Sequence, residues 1–194
     1  MRKHVALIQG HPDVSPDRLC RALADAYIDG ARTSGHIVEE IDVARLDFPL
    51  LRRQKEFEDG AMPAALDKAA EAIREAEHVV FVFPLWLGTM PALLKAFLEQ
   101  VMRPGFAFDY DGGGFPKKLL KGRSARIIVT MGMPSSVYRW VYLDHWLAGL
   151  RRSILGFVGL SPVRETLFGR VNDVPPEVRR QWLTTMAGLG RQAR

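Results

Sequence analysis

At 194 residues, 47% hydrophobic and 25% charged, the chain is long enough for one domain with a full core, too short for two of ordinary size, and not disordered. Lys plus Arg number 27 against 22 Asp plus Glu, a formal charge of +5. The basic residues are scattered apart from short clusters at Arg52-Arg53, Lys117-Lys118 and Arg151-Arg152, with no stripe or binding module for nucleic acid. The single Cys20 allows no internal disulfide, nothing at the N-terminus reads as a signal peptide, and no run reaches the about 18 apolar residues of a membrane helix. The expectation is one cytoplasmic domain over residues 1–194, without a transmembrane segment or a nucleic-acid partner.

The apolar run His4 to Gln9 predicts a strand that passes into GHPDVSPDRLC. There Ser15 followed by Pro16 has the form of an N-cap with proline at the first helical position, and a helical face follows to about Ala31. His36 to Val43 predicts a second strand. The next piece, Ala44 to Pro63, has no clean period; it is either an irregular connection or a segment whose Phe48, Leu50 and Leu51 approach a dimer partner. Pro63 to Glu77 predicts a second helix, which delivers the chain to VVFVF at Val79 to Phe83, five apolar residues as expected of a parallel strand covered on both faces.

Pro84 ends that strand, and Leu85 to Thr89 then places two leucines and a tryptophan in a loop. Such residues in a loop are either buried packing or ligand-facing. Pro91 opens a helix with Leu93, Leu94, Phe97, Leu98 and Val101 on one face. After Tyr110 the glycines of DGGGFPKKLLKGRS predict a flexible excursion. Ala125 to Thr130 is the next strand and ends in MGMPSS. A helical stretch from about Ser136 to Ser153, a strand at Pro162 to Phe168 and a helix from Pro175 to about Gly190 complete the chain.

Strands alternating with helices imply an open parallel α/β sheet with right-handed crossovers, in the order 2-1-3-4-5 or as a half-Rossmann sheet. In the first order, ligands sit outside the carboxyl ends at the switch point, which selects Gly10 to Pro16, Pro84 to Met90 and Thr130 to Ser136. The first loop leads into a helix N-terminus that favours an anion, with the Ser15 hydroxyl and the Arg18 cation at hand; Ser15 is equally suited to be a plain cap. No G-x-G-x-x-G or Walker sequence is present, against an ordinary dinucleotide or nucleoside triphosphate site. In the second loop, Trp86 and Leu87 offer apolar surface to a flat ring.

His11-Pro12, FPLWLGTMPALLKAFLEQVMRPGFAFDY from Phe83, and IIVTMG from Ile127 to Gly132 followed by Ser135, Ser136 and Tyr138 together resemble the flavodoxin-like NAD(P)H:quinone oxidoreductase family. The likeness runs from His4 to about Leu160, and its specific part is the central segment. It implies a flavodoxin-like five-stranded parallel sheet, order 2-1-3-4-5, with helices on both faces. It also implies a tightly bound flavin, FMN or alternatively FAD, and a homodimer with sites at its interface. By the family's ping-pong route, NAD(P)H passes a hydride to flavin N5 and leaves, and a quinone or similar flat electrophile takes it up in the same pocket.

By that resemblance His11, Pro16, Asp17 and Arg18 fall at the phosphate side of the flavin. Pro84, Leu85, Trp86 and Leu87 fall beside its ring, and Thr130, Met131 and Gly132 near its pyrimidine edge. Phe108 and Tyr110 match aromatic positions that close the substrate pocket, usually across the dimer. Tyr138 and His145 match a catalytic Tyr and His, although His145 is displaced by one position and also fits helix surface or interface. Two departures stand out: Pro16-Asp17-Arg18 replaces the frequent Ser-Phe-Asn, leaving Ser15 as the candidate hydroxyl, and MGMPSSVY replaces a glycine-rich T-G-G form. The alternative within the same fold is a flavin-bearing regulatory subunit of a membrane transport system, or an electron-transfer protein.

Overall fold

A computed structural model of the protein describes residues 1–110, 114–143 and 145–194. The main sheet holds β1 (His4–Gln9), β2 (Ile37–Asp42), β3 (His78–Pro84), β6 (Ser124–Thr130) and β7 (Val163–Phe168). All pairings are parallel, in the order β2-β1-β3-β6-β7, the expected 2-1-3-4-5 pattern. A separate antiparallel pair joins β4 (Phe108–Asp109) to β5 (Lys117–Lys118). The helices are α1 (Leu19–Thr33), α2 (Gln54–Glu58), α3 (Asp67–Glu75), α4 (Ala92–Val101), α5 (Ser135–Trp140), α6 (His145–Gly149), α7 (Gly156–Val158) and α8 (Pro176–Gln192).

Side chains along the strands alternate between two cores, as the period of two requires. Val5, Leu7, Val80, Val82 and Ile128 face α1 and α8. Ala6, Ile8, Val79, Phe81, Phe83, Ile127 and Val129 face the opposite way, into a larger core with α3, α4 and the segment around Leu147 to Val158. Every residue of β3 is buried, which accounts for its unbroken apolar run.

On the first face the helices meet backbone to backbone. A Cβ placed on Gly190 would lie 2.0 Å from the Tyr27 carbonyl oxygen, and one on Gly30 would lie 2.1 Å from that of Ala187. No side chain fits at either position.

Three elements differ from their sequence expectations. Helix α1 begins at Leu19 because Asp13 takes over the organisation of the loop: its Oδ1 accepts from the Ser15 N–H (2.8 Å), and a turn at Ser15–Arg18 precedes the helix. Ser15 therefore does not cap α1. The expected helix over Ser136 to Ser153 is broken into α5, α6 and a π-helical stretch, Leu150–Leu155, with Leu143 at a positive φ of 52° between α5 and α6. The connection after β2 is mostly irregular but carries α2, and it is pinned by the buried Arg103, which donates to the carbonyls of Gly60 (2.7 Å) and Ala61 (3.1 Å). Part of the expected glycine-rich excursion, residues 111–113, lies outside the described residues, as does residue 144 of the expected helix.

Candidate functional site

The loops after β1, β3 and β6 converge at the carboxyl ends of the strands, and two cavities open there. One of about 320 Å³ is lined by His11, Asp17, Arg18, Leu19, Cys20, Pro84, Trp86, Thr130, Val171, Asn172 and Arg179. The other, of about 630 Å³, is lined by Leu85, Leu87, Gly88, Met131, Gly132, Met133, Tyr138, Tyr142, His145 and Trp146. Along each shared loop the residues alternate: Pro84, Trp86 and Thr130 face the first cavity, whereas Leu85, Leu87 and Met131 face the second. Extended backbone sends successive side chains to opposite sides at 84–86 and at 130–131, and the Leu87–Gly88 turn brings both its residues to the second cavity, so the two loops form a common wall.

The first cavity is polar and cationic. No side chain caps the N-terminus of α1, so its leading N–H groups are available to an anion. Arg18 is half exposed and is held by Asp13, with Nε at 2.7 Å and Nη2 at 2.5 Å from Oδ2. The Ser15 N–H bond and Arg18 together keep the Asp13 carboxyl below the usual carboxylate range. His11 accepts the Asp13 N–H at Nδ1 (3.0 Å), which places the proton of the neutral ring on Nε2, and partial burial lowers its pKa. The His11 ring meets Trp86 edge-on at 5.8 Å. Cys20 shares a hydrogen bond with Thr130 Oγ1 (3.1 Å), and burial pushes its thiol up to about 11, so it stays protonated and is no nucleophile.

The second cavity is walled by apolar and aromatic groups. Its rim is a two-residue turn in which Trp86 and Thr89 exchange backbone hydrogen bonds of 2.9 and 3.0 Å. Leu87 and Gly88 at the turn both have positive φ, 48° and 79°, the pattern of a type I′ hairpin turn. Trp146 packs edge-on against Phe83 of β3, ring centroids 5.8 Å apart. Tyr138 is buried and His145 exposed.

Phe108 and Tyr110 do not line this cavity within one chain. They lie along an apolar groove of about 300 Å³ with Phe57, Leu98, Met102, Ile154 and Phe157. Phe108 is buried against Phe157 (4.9 Å) and Tyr110 (5.5 Å), while Tyr110 is 63% exposed. Ser15 lines neither cavity.

A family model described as flavodoxin-like fold matches residues 3–186. The chain belongs to this flavodoxin-like family. It is 25% identical over 185 residues to a protein of Haemophilus influenzae named uncharacterized NAD(P)H oxidoreductase, covering 93% of this chain and 91% of that one. It is 26% identical over 169 residues to the FMN-dependent NADH:quinone oxidoreductase of Ruegeria pomeroyi, covering 75% of this chain and 83% of the relative. The solved structure of the NAD(P)H:quinone oxidoreductase from Methanothermobacter marburgensis superposes with a TM-score of 0.79 at 23% identity, over 99% of this chain and 97% of that one, and shares the fold.

In this flavodoxin-like chain the cavities include residues that the sequence did not single out. Asn172 and Arg179 reach the first cavity from beyond β7. They do so because Gly169 lets the chain pass over the third loop: a Cβ there would lie 2.5 Å from Ser135 N, and Arg170 N–H and Val171 N–H bond the carbonyls of Met133 (3.0 Å) and Met131 (3.2 Å). The rule that ligands collect at carboxyl ends also covers the loop after the last strand, so Gly169 to Pro175 was open to the same inference. In the second cavity Met133 falls within the third selected loop, whereas Tyr142 and Trp146 carry no comparable sequence signal.

The pair of cavities fits a flavin nucleotide. A phosphate suits the two guanidinium groups and the uncapped helix end, and a flat ring system suits the larger apolar space across the shared wall.

Proposed function

We propose that this chain is a flavin-dependent oxidoreductase that passes a hydride from NAD(P)H to quinones or similar flat electrophiles, with FMN as its cofactor. The observation that carries the proposal is the alternation of Pro84, Trp86 and Thr130 with Leu85, Leu87 and Met131 between a cationic and an apolar cavity. FMN and NADH are the cofactor and reductant named for the R. pomeroyi relative. The bound flavin supplies the group that accepts and releases the hydride.

The protein's own residues bind, orient and exclude water. Arg18 and Arg179, with His11 and the N-terminus of α1, hold the phosphate. Met131 and Gly132 stand at one edge of the ring, Thr130 lines the phosphate side of the same wall, and Leu85 and Leu87 cover the ring's apolar surface. Tyr138 and His145 line the same cavity and hold or deliver the proton that a quinone oxygen takes up as it is reduced. Names of relatives as oxidoreductases favour this enzyme over a regulatory subunit or electron carrier.

The chain acts as one cytoplasmic domain and pairs as a homodimer. Trp140, Val141, Tyr142 and Leu143 are exposed beside the larger cavity, as is Tyr110 above its groove; apolar surface of this extent marks an association site. Tyr110 then closes the partner's pocket. No helix among the described residues is long and apolar enough to cross a membrane.

Purification tests the proposal directly. The protein is expected to be yellow, with its absorbance bleached by NADH and restored by benzoquinone. A colourless protein that takes up neither FMN nor FAD rejects it. Light scattering that finds only monomer rejects the homodimer and leaves the flavin reading intact.

A further inference from the structure

A second charged site lies at the opposite end of the sheet from the two cavities, beside the amino ends of β6 and β7. A concavity of about 480 Å³ is lined by Lys118, Lys121, Arg151, Arg152, Gly156, Gly159, Leu160, Ser161 and Val163. Two segments build it. Residues 118–121 are laced onto α7, which follows the π-helical stretch: Leu120 N–H bonds the Val158 carbonyl (3.0 Å) and Lys118 Nζ the Gly156 carbonyl (2.6 Å). The stretch Leu150–Leu155 supplies the two arginines in succession.

The charges do not cancel. Arg151 pairs with Glu165 at 2.5 Å, and no carboxylate is among the described residues that line the concavity. Lys118 spends one hydrogen bond on a carbonyl and keeps its full charge. Lys121 and Arg152 make no side-chain hydrogen bond or ion pair among the described residues. Three uncompensated cations therefore face one hollow in a chain whose whole excess is +5. Its floor at Gly159, which has a φ of 109°, is packed tightly against the lysine-bearing segment: a Cβ there would come within 2.9 Å of Lys121 N and 3.1 Å of Lys118 Cβ.

We propose that this concavity binds clustered phosphate groups, two or more on one molecule or one surface. A phosphate monoester carries about −1.5 to −2 at neutral pH and a phosphodiester headgroup a single negative charge, and each accepts hydrogen bonds from several directions, so two or more clustered phosphates match three cations within a small footprint. The guanidinium of Arg152 adds the planar fork that suits a phosphate, and Lys118 and Lys121 act as point charges. The site is independent of flavin chemistry, since none of its residues lines either cavity at the other end of the sheet. The chemistry is common to a free polyphosphate ester and to an array of anionic lipid headgroups. Phe115, fully exposed just ahead of Lys117-Lys118, gives the second source an apolar anchor.

The test uses the flavin-loaded protein at about 0.15 M salt, where diffuse attraction is screened beyond about 8 Å. Inorganic tripolyphosphate is titrated by calorimetry, and vesicles of phosphatidylglycerol in phosphatidylcholine are compared with pure phosphatidylcholine by flotation. The variant is Lys121→Gln with Arg152→Gln, and the control, matched in net charge, is Arg52→Gln with Arg53→Gln. Both retain flavin and NADH turnover, because none of the four side chains lines the cofactor cavities. Binding of tripolyphosphate that weakens at least about tenfold in the first variant and not in the control supports a free phosphorylated ligand. The same pattern seen with anionic vesicles alone assigns the site to headgroups. Binding to neither, or equal losses in the variant and the control, overturns the proposal.

Discussion

The two faces of the sheet are packed on opposite principles. On the α1 and α8 face, small residues let helices touch through their backbones, and the contact tolerates no added atom at Gly30 or Gly190. On the other face Phe57, Phe108 and Phe157, and Phe83 with Trp146, pack in tilted and edge-on arrangements, leaving an apolar groove of about 300 Å³ beside the core and the larger cavity of about 630 Å³ above it. Close packing of small groups leaves no room for a ligand, whereas large irregular side chains leave gaps that one fills. The larger apolar cavity therefore opens on the second face, while the cationic cavity sits where the N-terminus of α1 and Arg179 of α8 reach the carboxyl ends of the strands.

That contrast breaks most visibly at Gly190. The Gly190→Val variant is expected to lose about 3 kcal/mol or more, read by urea unfolding, because the Tyr27 carbonyl has nowhere to retreat. Flavin affinity in the fraction that remains folded is expected to be unchanged. A comparable loss of flavin affinity there would show that the faces are coupled.

The next largest effect is expected at His78, buried in β3 with Nδ1 2.8 Å from Ser124 Oγ. Burial, reinforced by Lys3, Arg126 and Arg164, lowers its pKa from 6.5 to about 3. The unfolded chain takes up a proton near pH 6.5 that the folded chain refuses until about pH 3. The stability tied to this group is thus fully present above pH 6.5 and declines as the pH falls through that window, at up to about 1.4 kcal/mol per pH unit. Denaturant midpoints for the native protein and His78→Gln at pH 7, 5.5 and 4.5 measure it; parallel pH dependences would remove His78 from the account.

At the cavities and the apolar groove the effects are smaller and fall on binding. Arg18→Ala is expected to weaken flavin affinity by about 1.5 to 3 kcal/mol with little change in melting temperature; unchanged retention of flavin would take Arg18 off the phosphate. Tyr110→Ala is expected to raise the quinone KM by about two- to tenfold, in line with a single aromatic contact. Flavin affinity should hold, and a joint loss of both would make Tyr110 structural.

Most of the fold was legible because buried parallel strands announce themselves: the expected bounds of all five strands of the main sheet fall within about a residue of those observed. The helices were read less well where local chemistry competes. Asp13 displaces Ser15 as organiser of the first loop, a rivalry between two good capping residues that spacing alone does not resolve. The break near Leu143 carries no glycine or proline to mark it. At the candidate site the three loops near the switch point were found from topology. The loop after the last strand falls under the same rule, but that Asn172 and, from α8, Arg179 reach the cavity depends on Gly169 lying against Ser135, a tertiary contact without a local pattern. Pro84 and Trp86, both expected beside the ring, line the smaller cationic cavity, where Trp86 meets His11, since one step along an extended loop changes the side a residue faces.

The turn at Leu87 and Gly88 sets stability against use. A leucine at positive φ costs on the order of 1 kcal/mol, and this one is also fully exposed on the rim of the larger cavity. A selection for heat resistance would therefore be expected to replace it early with glycine or asparagine, raising the melting temperature while stripping apolar surface from the cavity wall and weakening quinone turnover. If Leu87→Asn gains stability without that loss, the leucine is an accident of history rather than something the activity retains.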